Sequence, residues 1–326
     1  MPTALFDSST VRNAASPAEV NTVIEDAFAA YEHGNAIMPA KSYVDLPHYG
    51  GDFRSMPAYV SGDSWDAAGV KWVNVHPDNP DSASLPTVMG IMIYSDPQTG
   101  FPLAIMDGTE LTRLRTGAAA AVATDHLAVP DASTLGIIGA GAQSYTQLSA
   151  IAAVRPIEEV VVSDLDDDAI EAFTNRFGDE FSVSRGSIAD AGHCDILSTV
   201  TPVNSPIVGP DDVGPDTHIN AMGADAAGKQ ELETALLRNG TVVIDDHEQC
   251  THSGEINVPW SSGAITAEDL YGTIGEIVVD EKPGREAIDG VTIFDSTGLA
   301  IQDIAAAHAV YEAARDVPEH DIIGIA

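Results

Sequence analysis

An apolar strand that ends in closely spaced glycines and opens at once into a helix restricts the possible folds more than any other feature of this chain. Thr134-Leu135-Gly136-Ile137-Ile138-Gly139-Ala140-Gly141-Ala142-Gln143-Ser144 is such a segment. Gly139 permits a tight turn, and Gly141 lets the backbone approach a pyrophosphate seated on the helix N-terminus. Ser144 departs from the usual third Gly or Ala, but a small side chain still allows helix and strand to pack closely. A lone GxGxxS is a weak signal, because glycines in turns are mostly only turns. Its surroundings strengthen it: a strand precedes, a helix follows, and Asp164 ends the next strand twenty residues past Ser144. An acid there accepts hydrogen bonds from ribose hydroxyls and repels a 2′-phosphate. No Arg or Lys follows it in Leu165-Asp166-Asp167-Asp168, so NAD is expected rather than NADP.

After Pro130, apolar strands alternate with helical stretches, the rhythm of parallel β/α units. The strands expected are Thr134 to Ile138, Glu159 to Ser163, Ile196 to Thr199, His218 to Met222, Val242 to Asp245 and Val291 to Phe294. Before that point the pattern differs. A capping box at Ser16-Pro17-Ala18-Glu19 opens a helix. Short strands follow at Ser42 to Leu46, Phe53 to Val60, Val70 to Val75, Val88 to Tyr94 and Leu103 to Met106, separated by Gly, Pro, Asn and Asp. An Ala-rich helix from Leu111 to Leu127 leaves this region, and a last helix, about Ile301 to Ala314, returns to it. The class is therefore α/β: a Rossmann-type dinucleotide-binding domain over 116–299, plus a mostly antiparallel α+β domain over 1–115 and 300–326.

Fourteen basic residues stand against 50 acidic ones, a formal charge of -36. Such a charge repels phosphate backbones and anionic lipid, which argues against nucleic-acid and membrane partners. The acids lie in short clusters between apolar segments rather than in a tail, a pattern suited to a folded, halophilic protein whose self-repulsion salt screens. Neither a basic leader before an apolar run nor a membrane-length apolar stretch is evident, so a cytoplasmic location is expected. Cys194 and Cys250 are too few to staple the fold. Lysine is reduced to Lys41, Lys71, Lys229 and Lys282. Survivors in so acidic a chain are enriched for positions where an ammonium has a specific role.

Several segments together resemble the ornithine cyclodeaminase, μ-crystallin and archaeal alanine dehydrogenase family over nearly the whole length. They are Met38-Pro39-Ala40-Lys41, Gly51-Asp52-Phe53-Arg54-Ser55-Met56-Pro57-Ala58, Gly69-Val70-Lys71-Trp72, Met106-Asp107-Gly108, Arg115-Thr116-Gly117-Ala118-Ala119, Asn220-Ala221-Met222-Gly223-Ala224-Asp225, Gly228-Lys229-Gln230-Glu231-Leu232 and Ser296-Thr297-Gly298-Leu299-Ala300-Ile301-Gln302-Asp303. The resemblance implies a homodimer whose N-terminal sheet domain binds substrate and forms the interface, with the nicotinamide between the domains. It implies that Lys41, Lys71 and Arg115 clamp a carboxylate, with Lys71 polarising the reacting centre and Asp225 acting as acid and base. It also implies that Thr116, Gly139, Ala140, Gly141, Ala142, Gln143, Asp164, Thr201, Met222, Lys229, Ser296 and Gly298 contact NAD. Asp225 lies just past an expected strand, at the carboxyl edge where open parallel sheets bind ligands; alone it could be a turn aspartate, and Lys71 an outward strand residue.

Two departures bear on the substrate. Cyclodeaminases of this family carry Arg where this chain has Lys41, and a Glu toward the distal ammonium of ornithine where it has Arg54. A guanidinium repels that ammonium and suits a carboxylate, so Arg54 is a further substrate-contact candidate. The expected reaction is NAD-dependent oxidative deamination of L-alanine or another small neutral L-amino acid, running also as reductive amination. Ornithine cyclodeamination, ketimine reduction and a non-catalytic, crystallin-like nucleotide binder are the alternatives. Asp245, Asp246, His247, Cys250 and His252 lie close in sequence but no second cluster closes a coordination shell, so no metal site is expected.

Overall fold

The computed structural model describes residues 2–317 and 321–324. The segment expected at 300–326 includes 318–320 and 325–326, outside the described residues. The chain divides into two units, Met1–Arg115 with Leu299–Ala326, and Thr116–Gly298.

The first unit is built on one sheet. Its strands lie in the order Asp321–Ile323, Thr3–Phe6, Pro102–Asp107, Val88–Ser95, Asp66–Val75, Gly51–Ser61 and Ala36–Ile37, with Ser42–Leu46 also paired to Gly51–Ser61. All neighbours run antiparallel except Thr3–Phe6 beside Pro102–Asp107. Period-two alternation sorts the side chains. Met56, Ala58, Val60, Ala67, Val73, Met92 and Tyr94 are buried, whereas Trp72, Ile91 and Ile93 are exposed. The helices Pro17–Glu32 and Ala300–Ala314 cover the buried face. The first opens with the capping box read from the sequence, Ser16 and Glu19 exchanging hydrogen bonds. Gly69 sets how closely the second can approach: a Cβ there would lie 2.4 Å from the carbonyl oxygen of Ile93 and 3.1 Å from Cδ1 of Ile304.

The second unit holds a wholly parallel sheet in the order Ser182–Arg185, Glu159–Ser163, Thr134–Ile138, Ile196–Thr199, His218–Ala221, Thr292–Asp295, Thr241–Ile244, Leu270–Thr273. Strand order reverses between Thr134–Ile138 and Ile196–Thr199, the switch point at whose carboxyl end open sheets bind ligands. Inner strands such as Thr134–Ile138 and Thr241–Ile244 are buried on both faces, hence their near-continuous apolar character. The six strands expected are present. Ser182–Arg185 and Leu270–Thr273 are additional, and both are edge strands. Among the described residues no helix is long and apolar enough to cross a membrane.

Candidate functional site

In the first unit the chemistry gathers around Lys71. It occupies an inward position of Asp66–Val75, in register with Met56 on one side and Met92 on the other, and is 1% exposed. An ammonium among methionines needs acceptors, because burying an unpaired charge is costly. Its Nζ donates to Oδ1 of Asp303 at 2.7 Å and to Oγ1 of Thr112 at 3.1 Å. The Thr112 hydroxyl donates in turn to the carbonyl of Gly108 at 2.7 Å, which leaves its lone pairs toward the ammonium. Asp303 is fully buried in the first turn of Ala300–Ala314, where the helix dipole favours an anion. One turn beyond Thr112 on the Gly108–Leu127 helix, Arg115 places Nε 3.4 Å from the same Asp303 oxygen and donates from Nη1 to Oε1 of Gln302 at 3.2 Å. Burial pushes the Lys71 pKa down to about 8; Asp303 opposes that shift, and the charges of Arg115 and Lys41 add to it.

Of the candidate substrate residues, then, Lys71 and Arg115 share the buried Asp303 carboxylate, and the charge of Lys41 acts on Lys71. Arg54 is held differently. Asp52 clasps it with hydrogen bonds of 2.8 and 3.2 Å, and its guanidinium lies 5.5 Å from the centre of the Tyr43 ring. Asp303, Gln302 and Thr112 were given no role from the sequence. One signal was present: Asp303 is the acid in the opening turns of the largely apolar Ala300–Ala314 helix.

In the second unit the glycine turn has the conformation its sequence requires. Gly139 has φ of 101°, and a Cβ there would sit 2.9 Å from the carbonyl oxygen of Val200. Gly141 precedes the Ala142–Ile151 helix, and no heavy atom lies within 4 Å of where its Cβ would be. The backbone is thus open to close approach, beside first-turn amides that have no acceptor within the helix. Ser144 is fully buried and donates to the carbonyl of Gly141 at 2.6 Å, closing the turn where a third glycine is usual. The Asp164 carboxylate accepts from the amides of Ala140 at 2.5 Å and Asp166 at 2.9 Å, tying the end of its strand to the turn. Gln143 carries a buried Oε1 with no hydrogen-bond partner. A turn open at Gly141, an acid at the next strand end and an unsatisfied buried amide oxygen together fit a dinucleotide.

Buried carboxylates hold the neighbouring loops. Glu231 accepts from the amide and hydroxyl of Thr201 at 2.8 and 2.6 Å, from the Thr199 hydroxyl at 2.7 Å and from the Gly223 amide, next to Met222, at 2.9 Å. Glu255 accepts from the amides of Glu231 and Leu232, and Asp295 from those of Glu255 and Ile256. Asp245 accepts from the Ser296 hydroxyl at 3.0 Å and from the amides of Thr297 and Gly298 at 2.7 and 3.1 Å. Burial raises the pKa of Glu231 and, with the charge of Glu231 added, raises that of Glu255 well above the carboxylate range. Burial also lifts Asp295 to about 7, with Asp245 contributing. Asp225 forms an ion pair with Lys229 at 2.7 Å, and Asn257 braces that loop through the amide of Gly228 and the carbonyl of Lys229. Thr116, at the start of the unit, accepts from Nε2 of Gln147 at 3.3 Å through its carbonyl. Asp246 caps the His247–Ser253 helix through the amide of Gln249, and the buried Cys250 thiol lies 3.1 Å from Oδ1 of Asp245.

Comparisons with known proteins agree with this geometry along the chain. Residues 3–317 match the model of the ornithine cyclodeaminase/mu-crystallin family. An alanine dehydrogenase of Archaeoglobus fulgidus is 46% identical over 313 residues, covering 96% of this chain and 95% of that protein. The solved structure of an archaeal alanine dehydrogenase dimer with bound NAD superposes with a TM-score of 0.94 at 45% identity, covering all of both chains. A Thermococcus litoralis Δ1-pyrroline-2-carboxylate reductase in complex with NADH and L-proline gives a TM-score of 0.92 at 33% identity, covering 98% of this chain and all of the other. A match over so much of the sequence, on a fold with a glycine turn in one unit and a buried cation cluster in the other, assigns the chain to the ornithine cyclodeaminase/mu-crystallin family.

Proposed function

We propose that this chain catalyses the NAD-dependent oxidative deamination of L-alanine, or of another small neutral L-amino acid, to the 2-oxoacid and ammonia, and the reverse reductive amination. The observation that carries the reading is the buried Lys71 ammonium, which shares the Asp303 carboxylate with Arg115 and feels the charge of Lys41. Two cations, Lys71 and Arg115, share the one Asp303 carboxylate, so a ligand carboxylate is the natural complement, and its binding fixes the orientation of Cα. NAD supplies the two-electron acceptor for the Cα hydrogen; Gly139 to Gln143 would receive its pyrophosphate, Asp164 its ribose, and Thr116, Thr201, Met222, Lys229, Ser296 and Gly298 the remainder. Asp225 removes a proton from the substrate ammonium and passes it to solvent, since only a neutral amine has the lone pair needed to form the imine; it then takes a proton from the attacking water and returns it to the departing amine. The ion pair with Lys229 orients that carboxylate. Overall, L-alanine, NAD⁺ and water give pyruvate, ammonium, NADH and a proton.

Similarity to an alanine dehydrogenase of 46% identity supports this substrate. Lys41 and Arg54 support it as well, standing where cyclodeaminases of the family carry Arg and Glu. The exposed Trp72, Ile91 and Ile93 form an apolar face on the first unit's sheet, which suits burial in a homodimer. Reduction of a cyclic imine is the second reading, favoured by the similarity to the pyrroline-carboxylate reductase. Incubating the protein in molar KCl with NAD and each amino acid in turn, then with NADH and Δ1-pyrroline-2-carboxylate, separates them. NADH and pyruvate from alanine are expected. Proline from ornithine without net NADH, or turnover of the cyclic imine alone, replaces the alanine reading.

A further inference from the structure

We infer that Asp303 is a positioning residue: with Thr112 it fixes the Lys71 ammonium so that one N–H remains for the ligand carboxylate, and it keeps that ammonium charged inside an apolar sheet face. The inference rests on the reading of Lys71 as a substrate-binding cation. Asp303 ends one of the segments that carry the family resemblance, but that resemblance gave it no role; its contacts with Lys71 and Arg115 supply one. An ammonium has three donors. Two of them meet Asp303 at 2.7 Å and Thr112 at 3.1 Å, which leaves one. The other charges that shift Lys71 are cations, Arg115 on the Gly108–Leu127 helix and Lys41 before Ser42–Leu46. Without the carboxylate, two cations and two methionines would press the lysine toward its neutral form, which has nothing to offer a carboxylate.

The carboxylate itself is set by the fold. Asp303 lies in the first turn of a helix whose close seating on the sheet depends on Gly69, two residues from Lys71 on the same face. Gln302, its neighbour, accepts from the amide of Leu299 and from Arg115, which locks the first turn. Oδ2 of Asp303 is buried with no hydrogen-bond partner, so the residue commits one oxygen to both cations. An Asn could supply the acceptor but not the charge, and this separates position from protonation.

Only four lysines are present, which makes the protonation of Lys71 directly readable. Lysine labelled with ¹³C at Cε is followed by NMR against pH in the full-length protein, and Lys71→Arg identifies the resonance by its loss. A midpoint near about 8 is expected for the unmutated chain. Asp303→Asn should lower it by at least about one pH unit, and Asp303→Glu should largely restore it. Pyruvate binding to the NADH complex, without ammonium, should lose its alkaline limb by the same shift in D303N while remaining close to normal at low pH. Thr112→Val, a near-isosteric change, should weaken pyruvate binding several-fold and leave the midpoint almost unmoved. An unchanged Lys71 midpoint in D303N, or unchanged pyruvate affinity in T112V, overturns the inference. If the midpoint falls and pyruvate binding does not follow, Asp303 keeps its hold on Lys71 and the functional reading of Lys71 fails instead.

Discussion

Lys71 shows what one residue can and cannot reveal before folding. Its scarcity in so acidic a chain singled it out, and its flanking Val70 and Trp72 placed it on a strand. The direction in which it points followed only from the sheet, where Trp72 faces out and Lys71 lies beneath Ala300–Ala314. Its partner is 232 positions away, a separation that no local pattern reports. Removing the side chain tests what the ammonium does. Lys71→Ala should reduce kcat/KM at least about a hundredfold, as loss of a pre-organised charged contact does. NAD affinity, measured by fluorescence titration, should stay within a factor of about two, because the glycine turn belongs to the other unit. Arg54 was legible by its chemistry as a ligand contact, and the fold adds that Asp52, two residues away on the same strand, clasps its guanidinium.

At the scale of elements, the parallel sheet was the most readable part, because strands buried on both faces are nearly continuous apolar runs. Ser182–Arg185 and Leu270–Thr273 escaped notice since short edge strands bury few side chains and need little apolar pattern. The buried acids were hidden for another reason. Among 50 acidic residues, Glu231, Glu255, Asp245 and Asp295 look like the rest, and only the loops they gather distinguish them. They give the second unit an unusual pH response. Asp295 is held at about 7 in the fold, against roughly 3.9 in an unfolded chain, so between those values the native state binds the extra proton. Its contribution is therefore full below the unfolded value and is lost as pH rises through about 7; Glu231 and Glu255 shift in the same direction. The melting temperature at constant salt should fall by several degrees between about pH 5 and about pH 8. In Asp295→Asn it should be lower overall, with a clearly flatter slope. A slope unchanged in D295N, read by calorimetry, would place the titration elsewhere.

Over the whole molecule, a charge of -36 surrounds an exposed apolar face made by Trp72, Ile91 and Ile93. Two such chains repel at long range, and salt shortens the reach of that repulsion, to about 3 Å at molar concentration, so association is expected to strengthen as salt rises. Ile91→Asp should leave the fold intact and give monomers by light scattering in molar KCl, where the unmutated chain is expected to be dimeric; dimers persisting in I91D would move the interface off this face. The reaction itself is tested most directly with L-alanine deuterated at Cα, incubated with NAD and the full chain in molar KCl, the nicotinamide product being read by mass spectrometry. Deuterium on the nicotinamide, matched by an equal amount of pyruvate, is the expected result. Reduced nicotinamide without deuterium, or none at all from alanine while ornithine yields proline, would contradict it.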